Sequence, residues 1–128
     1  MKIIIAGSRN ILDYEVIKKA VKDSNFEITE VVSGTAKGVD SLGEKYASDN
    51  NIDCSRFEAK WKDINVKGAV VRKNRYGSYN AKAGLSRNED MGEYADALIA
   101  IWDGKSSGTR HMINYMKSLN KKVFVYKV

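Results

Sequence analysis

Residues 95–102 read ADALIAIW, and this stretch constrains the fold more than any other. It is apolar at nearly every position, so it fits a strand covered on both faces rather than one with a wet side. KIIIAG at 2–7 has the same character and ends at a glycine. ITEVVS at 28–33, IDCSRFEA at 52–59 and VFVYKV at 123–128 read as three further strands. Between them lie stretches with helical spacing. Asp13 can cap a helix running to about Ser24, with Ile17, Ala20 and Val21 on one face. Residues 39–50 place Val39, Leu42, Tyr46 and Ala47 inward. Residues 84–94 look helical, and 108–119 put Met112, Ile113, Met116 and Leu119 on one side. Strands alternating with helices predict an α/β domain: a compact Rossmann-like three-layer sandwich of about five mostly parallel strands with helices on both faces.

At 128 residues the whole chain, 1–128, is expected to form one domain. Segment 60–82 has no sustained period and reads as a basic excursion, with room for a short helical turn. Residues 60–87 hold eight Lys or Arg against Asp63 alone. That stretch is therefore +7, and the rest of the chain is close to neutral at −1. A charge so confined attracts something anionic, whether nucleic acid, a phosphorylated small molecule or an acidic surface. A lone Cys54 excludes an internal disulfide and fits a reducing compartment. One Cys and one His argue against structural zinc. No run is long enough to span a bilayer, and MKIIIAGSR lacks a signal-peptide cleavage site. A cytoplasmic location with no membrane partner is expected.

In folds of this class ligands sit beyond the carboxyl ends of the strands. Three glycine-bearing turns are predicted to meet that edge: Gly7-Ser8-Arg9; Ser33-Gly34-Thr35 with Gly38 and Asp40; and Trp102-Asp103-Gly104 with Gly108-Thr109. Glycine permits sharp turns and close approach of a ligand to the main chain. Ser33 and Thr35 add hydroxyl donors, and the helix starts that follow suit a phosphate or another anion. Asp40 can either cap its helix or accept a hydroxyl proton from a ribose. None of the turns is the dinucleotide fingerprint GxGxxG. Gly104-Lys105-Ser106 imitates the tail of a phosphate-loop motif, but Ile99 stands where that motif needs its first glycine.

Taken together, Gly7-Ser8-Arg9, Ser33-Gly34-x-Ala36-x-Gly38-x-Asp40, Trp61, Ala83-Gly84-x2-Arg87-Asn88-x2-Met91, Ala95-Asp96-x4-Ile101-Trp102-x-Gly104 and Gly108-Thr109 resemble the SLOG superfamily. The similarity is greatest to its small stand-alone YspA/YpsA-related branch, found in bacteria and phages. The superfamily includes the LONELY GUY phosphoribohydrolases, DNA-processing protein A and ligand-sensing domains of certain cation channels. The resemblance implies recognition of nucleotides or nucleotide-derived ligands. It implies a pocket built from Arg9, Ser33, Gly34, Asp40, Arg87, Asn88, Gly104, Gly108 and Thr109.

Residue chemistry agrees with that choice. Arg9 and Arg87 are forks suited to bidentate phosphate contact. Asn88 carries both donor and acceptor, Thr109 can hold a phosphate oxygen, and Trp61 or Tyr76 could stack on a base or simply plug the fold. His111 could touch phosphate or be incidental.

Three functions follow from the resemblance. The first is a binding protein for a nucleotide-derived small molecule, acting as a sensor or a sequestering protein. The second is a nucleoside-monophosphate N-glycohydrolase or other nucleotide-processing enzyme. Against it, Met112 occupies the position of the catalytic Glu in the phosphoribohydrolases, and Met cannot activate water; Asp40 or Asp103 could substitute from another angle. The third is single-stranded nucleic-acid binding, for which the basic excursion with its Trp and Tyr is suited. No cofactor is required by these readings, although Mg²⁺ could enter through ligand phosphates. Self-association into a homo-oligomer is expected.

Overall fold

The structure is a computed structural model. It describes residues 1–60, 71–74, 77–80 and 82–128, with the strand residues between 72 and 80 described by backbone alone. The order of elements is β1 (Lys2–Gly7), α1 (Tyr14–Ser24), β2 (Glu30–Ser33), α2 (Val39–Asp49), β3 (Asp53–Arg56), β4 (Val71–Asn74), β5 (Gly77–Asn80), α3 (Ala83–Tyr94), β6 (Ala97–Trp102), α4 (Ser107–Ser118) and β7 (Lys122–Lys127).

β1, β2, β3, β6 and β7 form one parallel sheet in the order β3-β2-β1-β6-β7. The predicted α/β sandwich of five parallel strands is therefore present. The strand expected at 52–59 is shorter, at Asp53–Arg56. The helical turn expected within the excursion is absent from its described part, which instead holds an antiparallel pair, β4 with β5, in the register Val71↔Asn80 to Asn74↔Gly77. Trp61 and Tyr76, read as able to stack on a base or to plug the fold, lie outside the described residues.

The apolar runs are explained by the two faces of the sheet. Ile3, Ile5, Val31, Ala97, Ile99 and Ile101 pack with Ile17, Ala20 and Val21 of α1 and Val39 and Ala47 of α2. The alternate residues Ile4, Ala6, Val32, Leu98 and Ala100 pack with Met91 of α3 and Met112, Ile113 and Met116 of α4. Successive strand side chains point to opposite faces, so a strand covered on both sides must be apolar throughout. Burying an aliphatic side chain of this size contributes roughly 1.5–3 kcal/mol.

Local signals fix the helix ends. The Asp13 carboxylate accepts the Glu15 N–H at 3.0 Å, capping α1, and Asn25 ends it in the left-handed region. α3 has no basic residue in its last turn. A cation reaches it from elsewhere: the Lys121 ammonium donates to the carbonyls of Gly92 (2.7 Å), Glu93 (2.9 Å) and Ala95 (2.8 Å). Those are orphan acceptors at the negative end of the helix. Lys121→Met keeps an unbranched stem, one atom shorter, but removes all three donors. It is expected to lower the unfolding free energy by about 1–2 kcal/mol, read as a shifted urea midpoint with an unchanged slope.

From β1 the chain winds through α1 to β2 on one side; from β6 it winds through α4 to β7 on the other. The carboxyl ends of β1 and β6 are adjacent (Gly7↔Ile101), and the direction of winding reverses between them. A crevice opens at such a point.

Candidate functional site

The crevice is a cleft of about 490 Å³, within the range of small-molecule sites. Four chain segments line it. The turn after β1 supplies Gly7, Ser8, Arg9 and Asn10; the turn into α2 supplies Ala36 and Asp40; α3 supplies Gly84, Arg87, Asn88 and Met91. The turn after β6 and the first residues of α4 supply Asp103, Ser106, Gly108, Thr109 and Met112.

Each segment is held by local chemistry. Ser8 is buried; its N–H donates to the Ile101 carbonyl at 3.1 Å, and its hydroxyl accepts the Asp103 N–H at 3.4 Å. The first and third turns are thereby tied together. The Asp103 carboxylate accepts N–H groups of Lys105 (2.8 Å) and Ser106 (2.9 Å), which holds its pKa below the usual carboxylate range. Ser106 caps α4 through its hydroxyl, which accepts the Thr109 N–H at 3.5 Å. The cap leaves the earliest α4 amides, beside Gly108, facing the cleft end of the helix.

Gly38 begins α2 at φ 76°, and a Cβ there would stand 2.5 Å from the Arg9 carbonyl oxygen. Only glycine lets the second turn close against the first. Thr35 sits at φ 64°, a region that costs a β-branched residue on the order of 1–2 kcal/mol. Its N–H donates to the Ser33 hydroxyl at 3.1 Å.

The electrostatics combine two cations with one buried acid. Arg9 is exposed, and its guanidinium has no partner among the described residues. Arg87 is half-buried, which pushes its pKa down, although it stays charged. It donates through Nη1 to the Gly34 carbonyl at 2.5 Å and through Nε to Asn88 Oδ1 at 3.1 Å. Asn88 in turn donates to the Gly108 carbonyl at 3.4 Å, linking α3 to the start of α4.

Asp40 is only 6% exposed. Burial raises its pKa to about 6, against the lowering effects of the Ala36 N–H, Arg87 and Arg9. It makes no cap to α2. Its Oδ2 accepts the Ala36 N–H of the preceding turn at 3.2 Å.

Of the predicted site residues, Gly7, Ser8, Arg9, Asp40, Arg87, Asn88, Asp103, Gly108 and Thr109 line this cleft. Gly34 and Thr35 line a smaller adjoining depression of about 210 Å³, which shares Arg9, Ala36 and Arg87 with the cleft. Ser33 is fully buried and donates to Glu44 Oε2 at 2.7 Å, so its hydroxyl faces the protein. Gly104 turns at φ 82° beside the Lys127 side chain, away from the cleft. Trp61 lies outside the described residues. His111 packs against Tyr115, with Nε2 3.9 Å from Glu89, and does not line the cleft.

Asn10, Ser106 and Ser107 line it but were not among the predicted site residues. Ser106 carried a legible signal: it is a serine just before a helix, hidden only because the helix was expected to start at 108 rather than Ser107. Among the described residues no cluster of three or more His, Cys, Asp or Glu could hold a metal, and no helix is long and apolar enough to cross a membrane.

Three comparisons bear on this arrangement. Residues 1–63 match the profile of the YspA, cpYpsA-related SLOG family. A segment of 41 residues is 39% identical to the uncharacterized SPbeta prophage-derived protein YoqJ of Bacillus subtilis (strain 168); it spans 32% of this chain and 24% of that one. The fold resembles the X-ray structure of DNA processing protein A (DprA) from Streptococcus pneumoniae with a TM-score of 0.70 at 17% identity. That match covers 97% of this chain and 49% of the other, so the chain spans about half the length of the protein it superposes on.

Proposed function

We propose, from the match of residues 1–63 to the YspA, cpYpsA-related SLOG family, that the chain binds a nucleotide or nucleotide-derived small molecule at the carboxyl edge of its sheet, as a sensor or sequestering protein. One observation carries this reading. Turns far apart in sequence converge with Arg9, Arg87 and the start of α4 on a single cleft. Guanidinium forks and free helix amides suit phosphate. Met91 and Met112 give the floor an apolar surface for a base or sugar. Mg²⁺ would enter with the ligand's phosphates, since among the described residues no cluster of three or more His, Cys, Asp or Glu could hold a metal.

The test is thermal shift against a panel of nucleotides, NAD, ADP-ribose and cyclic dinucleotides, alongside mass spectrometry of small molecules carried through purification. A ligand found in this way should lose affinity by roughly 30- to 100-fold in Arg9→Ala and in Arg87→Ala, as expected for loss of a charge-assisted contact of about 2–3 kcal/mol. Full retention of the shift in both variants removes this cleft as the site.

A second reading, N-glycoside hydrolysis, is favoured by one observation. A carboxyl with a pKa of about 6 lines the cleft, in the range useful to a general acid or base. Release of free base during the same incubation would establish it; quantitative recovery of intact ligand would dismiss it.

A further inference from the structure

Asp40 carries a feature that phosphate binding does not use. Its Oδ2 is occupied by the Ala36 N–H. Its Oδ1 has no hydrogen-bond partner among the described residues and is not enclosed by protein; it opens onto the cleft that Asp40 lines, although the residue as a whole is only 6% exposed. Neither arginine hydrogen-bonds it among the described residues: Arg87 is engaged with Gly34 and Asn88, and both guanidinium groups act on it only through space. An acceptor that opens onto a cleft in an otherwise buried residue is placed to take a donor from a ligand, and is costly to leave unpaired once a ligand covers it.

The surroundings narrow what that donor is. A phosphate oxygen would be repelled by the carboxylate. An ammonium group would be repelled by the two guanidinium groups. No cluster of three or more His, Cys, Asp or Glu among the described residues offers a metal in the donor's place. A neutral hydroxyl on an otherwise anionic molecule satisfies all three conditions.

Resting on the nucleotide-binding reading above, we propose that the cleft selects ligands with a ribose cis-diol, and that Asp40 Oδ1 is the acceptor that reads it. The ligand class is then a ribonucleotide or a ribose-phosphate derivative with a free diol, not a deoxyribonucleotide or DNA. A site built around such a hydroxyl rejects the analogue that lacks it, because its own acceptor is then left unpaired.

The experiment is equilibrium binding of matched ribo-, 2′-deoxy- and 2′,3′-dideoxy-nucleoside diphosphates, one set for each common base, to the wild-type chain, Asp40→Ala and Asp40→Asn. The wild-type protein should prefer the ribose form by roughly ten- to a hundredfold over the dideoxy form. In Asp40→Ala that ratio should fall to within about threefold.

The ratio also responds to pH. The groups facing Asp40 are Arg9 from the turn after β1, Arg87 from α3, Glu44 one turn along α2 and the Ala36 N–H. A protonated carboxyl is a poorer acceptor, so wild-type preference should weaken from pH 8 to pH 5. Phosphate titration cancels between matched sugars. Asp40→Asn, which cannot titrate, should show a ratio flat in pH.

Equal wild-type affinity for both sugars, or an unchanged ratio in Asp40→Ala, overturns the proposal. If both sugars bind equally and Arg87→Ala abolishes both, the diol proposal falls and nucleotide binding stands. If no diphosphate of either sugar binds, both fall. Tighter binding of an oligodeoxynucleotide than of any ribonucleotide also overturns it.

Discussion

Gly7→Ala is expected to lower the unfolding free energy by about 3 kcal/mol or more, and to drop the melting temperature by roughly 10 °C in a domain of this size. A Cβ at residue 7 would lie 2.0 Å from the Ile101 carbonyl oxygen and 2.9 Å from Val39 Cγ2. The side chain of Val39 could adjust. The carbonyl cannot, because it accepts the Ser8 N–H at 3.1 Å and belongs to the strand paired with β1 in the middle of the sheet. The added methyl must therefore push β1 from β6, which widens the crevice as well as weakening the core. Denaturant unfolding measures the loss. A midpoint within experimental error of the wild type would show that the two strand ends are not packed this closely.

Asp40→Asn should have the opposite sign. The carboxyl has a pKa of about 6 in the folded protein against 3.8 for the ordinary group, so the native state holds its proton more tightly than the unfolded chain does. Asp40 is therefore least costly to the fold below about pH 4. As pH rises through 6, the native state must bury a charge. At about 1.4 kcal/mol per pKa unit, that cost reaches about 3 kcal/mol above pH 7. Asparagine keeps an oxygen for the Ala36 N–H and carries no charge. The variant should be more stable than the wild type by about 2–3 kcal/mol at pH 7.5, with the difference closing toward pH 4. Urea midpoints at three pH values check this; a difference that does not change with pH contradicts it. A stabilising substitution that impairs binding is the signature of a group retained for function.

The sheet was legible because coverage on both faces forces unbroken apolar runs, as at Lys2–Gly7 and Ala97–Trp102. The edge strand β3 was legible only in part. Three of its four residues are exposed, so few positions had to be apolar, and its ends left little trace. The β4–β5 pair was illegible for a related reason. It lies in a separate two-stranded sheet, so the pattern that a core imposes on a strand is missing.

At the site, the turns were readable from glycine and from the residues flanking the helices. The fate of individual polar groups was not. Nothing in the segment VSGTAKGVD tells that Ser33 gives its hydroxyl to Glu44, or that Asp40 turns back to Ala36 instead of capping α2. Those outcomes depend on partners eleven and four residues away brought close by the fold.

On the binding proposed above, the tie between Arg87 and the Gly34 carbonyl is an internal surrogate for the guest. An anion bound there would compete with a backbone oxygen for the same guanidinium, so its measured affinity would be the difference between two such attachments. Displacing that oxygen also unmoors the segment that keeps Thr35 in its unfavourable geometry. Occupancy and the shape of that segment then become two readouts of a single equilibrium.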